Sequence, residues 1–131
     1  MCSISRLTFA CLGALALGGC TSLSLPGACT ADFRYGLTIT VVDSLTGAPP
    51  ASATLIARDW AHTDSVGPQA PLPNGPQGPA VLLLSAAGER PGTYDLTVRA
   101  AGYHEWTKAD VHVDADECHV HGVALTARLQ Q

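Results

Sequence analysis

The segment Tyr94-Asp95-Leu96-Thr97-Val98-Arg99-Ala100 alternates apolar or small residues with polar ones without a break. Only an extended strand turns successive side chains to opposite faces. Tyr94, Leu96, Val98 and Ala100 are therefore expected to face a core, and Asp95, Thr97 and Arg99 to face water. Gly92 precedes the run and Gly102 follows it, which brackets a strand with turn residues. Leu37-Thr38-Ile39-Thr40-Val41-Val42 reads the same way. It leads into Asp43-Ser44-Leu45-Thr46-Gly47-Ala48-Pro49, whose Asp, Gly and Pro supply turn chemistry. Further strands are predicted over 53–59, 81–84, 106–113 with a break near Ala109, and 119–129. Residues 114–117 are expected to join the last two as a hairpin. Beyond residue 17 no window sustains a helical period over three turns. Short strands separated by turn signals point to an all-β, antiparallel sandwich of six or seven strands.

The N-terminus reads as an address. Arg6 supplies a positive charge, and residues 7–17 form an uncharged stretch with the length of a secretory h-region, too short to span a bilayer alone. It ends in Leu17-Gly18-Gly19-Cys20, which resembles the lipobox of bacterial lipoproteins. That resemblance implies removal of residues 1–19 and acylation of Cys20, and more than one acyl chain gives durable anchoring. Two alternatives stand beside it: an uncleaved anchor helix, and ordinary cleavage leaving a free Cys20. Glycines 18 and 19, Ser22, Ser24 and Pro26 work against a helix running past residue 17. Residue 21 is Thr and not Asp, which by the sorting pattern of enterobacterial lipoproteins implies the outer membrane, with the domain facing the periplasm. Residues 20–32 would then be a lipidated tether and residues 33–131 the single folded domain.

Of five cysteines, Cys2 and Cys11 fall in the lead and Cys20 is assigned to lipid, leaving Cys29 and Cys118 as an even pair in an oxidising compartment. They are expected to form a disulfide. The alternative is a thiol redox site or a metal ligand, for which no C-x-x-C spacing exists.

A wider resemblance rests on the order of these motifs. A strand, the Asp43-x-x-Thr46-Gly47-x-Pro49 turn, a second strand, and then Gly92-x-Tyr94-x-Leu96-x-Val98-x-Ala100-x-Gly102-Tyr103 are similar to the carboxypeptidase regulatory-like domain. Cys118-His119-Val120, followed by Val123-Ala124-Leu125 and Leu129, resembles the close of bacterial lipoprotein versions of it. The resemblance implies a seven-stranded, transthyretin-like sandwich with a binding or structural role and no chemistry of its own. Ser52-Ala53 departs from the family's Gly-Ala at the second strand, and the insertion at 61–79 is an addition to it.

That insertion is rich in Pro and Gly and reads as a long loop without secondary structure. Pro73, Pro76 and Pro79 recur every three residues, which would stack them on one edge of a polyproline II turn that a partner can read. Trp60 and Trp106, with Tyr35 and Tyr103, are candidates for a glycan or protein platform; core packing is the alternative fate of each. His119 and His121 are two apart on the last expected strand and so share a face, and His112 lies across the expected hairpin. Such imidazoles can bind Zn or Cu. The alternative is that they are structural, or that Gly122 marks a bulge that turns them to solvent.

Charge and motif content narrow the function classes. Seven basic residues against 11 acidic ones give a net charge of −4, and the basic residues are scattered, which argues against nucleic-acid binding. No Gly-x-Ser-x-Gly elbow or Gly-rich phosphate loop is present. Transthyretin relatives that hydrolyse hydroxyisourate end in Tyr-Arg-Gly-Ser, whereas this chain ends Ala127-Arg128-Leu129-Gln130-Gln131. The expectation is a non-catalytic envelope lipoprotein, needing no cofactor, whose sandwich binds a protein or glycan. The first alternative is a periplasmic metal-binding protein using His112, His119 and His121. The second is a hydrolase, for which nothing in the sequence selects a nucleophile.

Overall fold

The computed structural model of the protein describes residues 28–73 and 78–131. The expected lead, the acylated Cys20 and Pro76 lie outside the described residues. Among those described there are strands and no helix. They run β1 Tyr35–Asp43, β2 Ala53–Asp59, β3 His62–Gln69, β4 Leu83–Gly88, β5 Gly92–Arg99, β6 Trp106–Val113 and β7 Val123–Leu129. A three-stranded sheet has the order β4-β1-β7, a four-stranded sheet the order β3-β2-β5-β6, and the two form a β-sandwich-like fold.

Alternation builds the core. Leu37, Ile39 and Val41 of β1 meet Leu55 and Ala57 of β2 and Tyr94, Leu96 and Val98 of β5, all fully or almost fully buried. Asp95 and Arg99 face solvent, as the period of two requires. Ala100 ends just beyond the strand and packs partly buried against the cluster. Truncating a buried leucine such as Leu96 to Ala removes transfer energy and leaves a cavity, a loss of about 2–5 kcal/mol.

Four features depart from the sequence reading. First, the sheets are not wholly antiparallel: β1 and β7 pair in parallel, from Leu37 opposite Val123 to Asp43 opposite Leu129. Parallel neighbours need a long crossover, and here all of β2 to β6 forms it. Second, the last two strands are no hairpin, because β6 and β7 belong to different sheets and residues 114–122 cross between them. The final strand therefore starts at Val123, and His119 and His121 lie outside it. Third, the apolar run at 81–84 is only the entrance to a strand that continues through Ser85-Ala86-Ala87. Fourth, the supposed loop after Trp60 contains β3, an edge strand paired to β2 from His62 to Gln69. Its residues are mostly exposed and carry no apolar alternation, so periodicity does not reveal it. Pro68 is tolerated there because an edge strand needs fewer donors, and the pairing shifts register beside it. Gly67 has φ +105°, and a Cβ there would stand 2.6 Å from the Ala53 carbonyl oxygen.

The break near Ala109 is a bulge. Tyr94 pairs with Val111 but Leu96 with Lys108, so β6 holds one extra residue, and Asp110 takes φ 56°. A bridge joins the two described flanks of the Pro-rich segment. Leu72 and Val81 exchange backbone hydrogen bonds of 2.8 and 2.9 Å. Pro73 and Pro79 flank this bridge on opposite legs, and Pro76, between them in the expected proline edge, lies outside the described residues.

Strand direction gives the molecule two ends. The chain enters at Tyr35, opposite Gly88. The same end holds the start of β7, the β2–β3 tip, the start of β5 and the finish of β6. The other end holds the Asp43 turn, the Leu72–Val81 loop and the β5–β6 connection.

Candidate functional site

At the end where the chain enters, Cys29 and Cys118 form a disulfide with an S–S distance of 2.02 Å. The bridge sits one residue before Thr30 on one side and one before His119 on the other, and it draws these two together. Thr30 Oγ1 lies 2.9 Å from His119 Nε2, and His119 Nδ1 lies 2.8 Å from Glu89 Oε1. The His119 side chain is only 10% exposed. With the proton on Nδ1 the ring donates to Glu89, and Nε2 accepts from the Thr30 hydroxyl.

Glu89 is a hub. Its backbone N–H donates to the Arg34 carbonyl at 2.9 Å. Oε1 accepts the Arg34 N–H at 2.8 Å, and Oε2 accepts the Val120 N–H at 3.3 Å. Burial pushes this carboxyl upward, but the bonds from His119, Arg34 and Val120 outweigh it and hold the group below its usual range. Asp116 organises the next turn. Its Oδ1 accepts the N–H groups of Cys118 and His119, both at 2.8 Å. Those two bonds, with a contact from His121, bring its carboxyl down to about 2. Thr30, Phe33, Glu89, Pro91, Cys118 and His119 are among the residues lining an open groove of about 460 Å³.

The three histidines are distributed, not gathered. His112 Nε2 lies 2.9 Å from Asp114 and its Nδ1 3.0 Å from Thr93 Oγ1. His119 meets Glu89, and His121 meets Asp116 at 3.3 Å with a side chain 60% exposed. Strand parity fails for His119 and His121 because both sit in an irregular connection. Among the described residues no three His, Cys, Asp or Glu side chains group so that they could hold a metal ion.

The aromatic candidates are also separated. Trp60 occupies the β2–β3 tip, where Arg58 pairs with Asp95 near the start of β5. Trp106 pairs with Val98 near the finish of β5. At about 3.3 Å per residue, the stretch of β5 from Thr93, which lies beside Trp60, to Val98 puts about 17 Å between them. Trp106, with His104, Arg128 and Gln130, lines a shallow site at the far end. Tyr103 is no platform residue: it packs on the core, and its hydroxyl donates to Asp43 Oδ2 at 3.0 Å.

The far end is built on Asp43, a buried carboxylate whose Oδ1 accepts the N–H groups of Leu45 and Thr46 at 2.8 and 2.9 Å. These bonds hold its carboxyl low. Gly47 takes φ +73° to close the turn, a conformation that costs glycine nothing. Beside it Gly47, Pro49, Pro79 and Val81 line a small groove of about 170 Å³. Leu45 and Leu72 stand exposed at the same end.

Sequence reasoning missed Glu89, Thr30 and Asp116. Glu89 reads as one charge in a turn, and no periodicity marks a turn residue whose partners are 30 and 55 positions away. Asp116 had a signal: an acidic residue two and three positions before the N–H groups it caps. No family model matches the chain, and no curated protein matches it.

Proposed function

We propose that the protein is a non-catalytic envelope lipoprotein, held by an acylated Cys20 at the outer membrane. Its transthyretin-like domain, of the carboxypeptidase regulatory-like kind, presents its far end to an envelope protein. One observation carries the reading: the tether enters at one end, and the exposed leucines 45 and 72 with the Pro49 and Pro79 groove lie at the other. A domain anchored at one end has the other free to meet a partner. A rigid turn beside an apolar groove suits protein recognition, because little ordering entropy is lost on binding.

The test is photo-crosslinking from position 72 in the native host, followed by titration of the purified adduct partner against the protein. The expected result is saturable binding that Leu72→Asp weakens at least about tenfold. An adduct made only of glycan, or a protein that shows no saturable binding, would remove the reading.

A second reading, hydrolysis, is supported by one contact set. Thr30, His119 and Glu89 stand in the order hydroxyl, imidazole, carboxylate, which is the order of a nucleophile, its base and the group that orients the base. The Thr30 oxygen would attack an ester carbonyl carbon while its proton passes to His119 Nε2. That proton would then leave with the departing alcohol, and water would release the acyl group by the same route. A fluorophosphonate probe that labels Thr30 in the native protein but not in His119→Ala would support it, and an unlabelled Thr30 would dismiss it.

A further inference from the structure

The end that receives the tether also carries the most exposed aromatic side chain among the described residues. Trp60 is 102% exposed, yet its backbone is fixed. Asp59 Oδ1 accepts the N–H of Ala61 at 2.9 Å and of His62 at 2.8 Å, and Asp59 Oδ2 faces Arg90 at 3.8 Å. Holding a bare indole on a rigid turn keeps apolar surface in water with no return inside the molecule. Phe33, 64% exposed, lies over Gly88 at the finish of β4, and Tyr35 meets its ring edge-on at 5.2 Å. Phe33 lines the groove with Pro91, Asp116 and His119, while Trp60 stands beside Gly92 and Thr93 at the same end. Exposed Pro91 and the cations Arg34 and Arg90 belong to the same region. Asp116 and Glu117, in the connection between β6 and β7, line the same groove as Phe33 and Pro91.

We propose that this end docks on the lipid bilayer, with Trp60 seated at headgroup level. The proposal rests on the acylated Cys20 of the preceding reading. Chain length selects the occupant. At full extension residues 20 to 29 reach at most about 30 Å, and the disulfide pins Cys29 to this end of the sandwich. An acylated Cys20 therefore holds this end within about 30 Å of the membrane, where tethering makes a weak second contact effective. Indole is suited to that depth, with an apolar body and one polar N–H. Arg34 and Arg90 can reach lipid phosphates, whereas the carboxylates of the 114–117 segment are repelled by anionic lipid. The domain thus prefers a zwitterionic surface.

The experiment uses the full acylated chain, extracted from its host and reconstituted into phosphatidylcholine vesicles with brominated acyl chains. The chain has two tryptophans, so the difference in emission between the wild type and Trp60→Phe isolates Trp60 without altering Trp106. Trp60 is fully exposed, so this substitution leaves the fold intact. The expected result is that the protein floats with the vesicles, Trp60 loses most of its emission to bromine, Trp106 stays bright, and added phosphatidylglycerol restores part of the Trp60 emission. A chain that floats but keeps an unquenched Trp60 overturns the docking and leaves the lipoprotein reading standing. A chain without acyl groups that fails to float overturns both.

Discussion

The two ends of the sandwich are closed by different means. At the tether end the chain is held by bonds between residues far apart in sequence: Cys29 to Cys118, Thr30 to His119, and Arg34 to Glu89. At the far end the Asp43 turn is local, made by N–H groups two and three residues on, with Tyr103 reaching in to complete it. A local turn costs little loop entropy and can form early. A closure across the whole domain pays that cost in full and gains most from a covalent link. The tether end is thus the one that depends on oxidation, and the far end should hold without it.

The sharpest way to break this contrast is to remove the bridge. Cys118→Ser should cost about 2–5 kcal/mol, and by hydrogen exchange the losses should gather in residues 28–34 and 114–122 while residues 43–48 stay protected. Equal loss at both ends would end the distinction.

Acid acts on both ends at once and comes next. Asp43, Asp59, Glu89 and Asp116 all have folded-state values below their ordinary ones. For Asp116 the fall is from 3.8 to about 2, so its contribution is whole above about pH 4 and is lost as pH drops toward 2. Asp116→Asn should flatten denaturation midpoints across that window, and an unchanged acid slope would refute the assignment.

A smaller effect is expected from Tyr103→Phe, which deletes one hydrogen bond to Asp43 at a cost of about 1 kcal/mol. Thermal melts read it, and the tether-end amides should not respond. Smallest of all is Trp60→Ala, expected within about 0.5 kcal/mol because the ring touches little in the folded domain. A larger loss would mean that Trp60 packs on the domain.

Legibility followed the same division. The alternation of Tyr94 to Val98 and of Leu37 to Val41 told which faces were buried, and the Asp43 to Pro49 turn was readable residue by residue. The β3 strand was not, since an exposed edge strand has no core face to impose a period on it. Nor was the placement of His119 and His121, because strand parity was applied to residues that belong to a connection. At the candidate site the cysteine pair was countable, whereas Glu89 carried no mark of its three partners.

Local pattern and residue chemistry alone therefore determined that the domain is built of strands, which faces of β1 and β5 are buried, where its first turn lies and which cysteines are paired. Only the tertiary structure decided that β1 runs parallel to β7, that Glu89, His119 and Thr30 meet, and that Trp60 and Trp106 stand at opposite ends. The physical reason is range. Periodicity and turn chemistry act within a few residues, while the assembly of the tether end depends on which distant strands become neighbours.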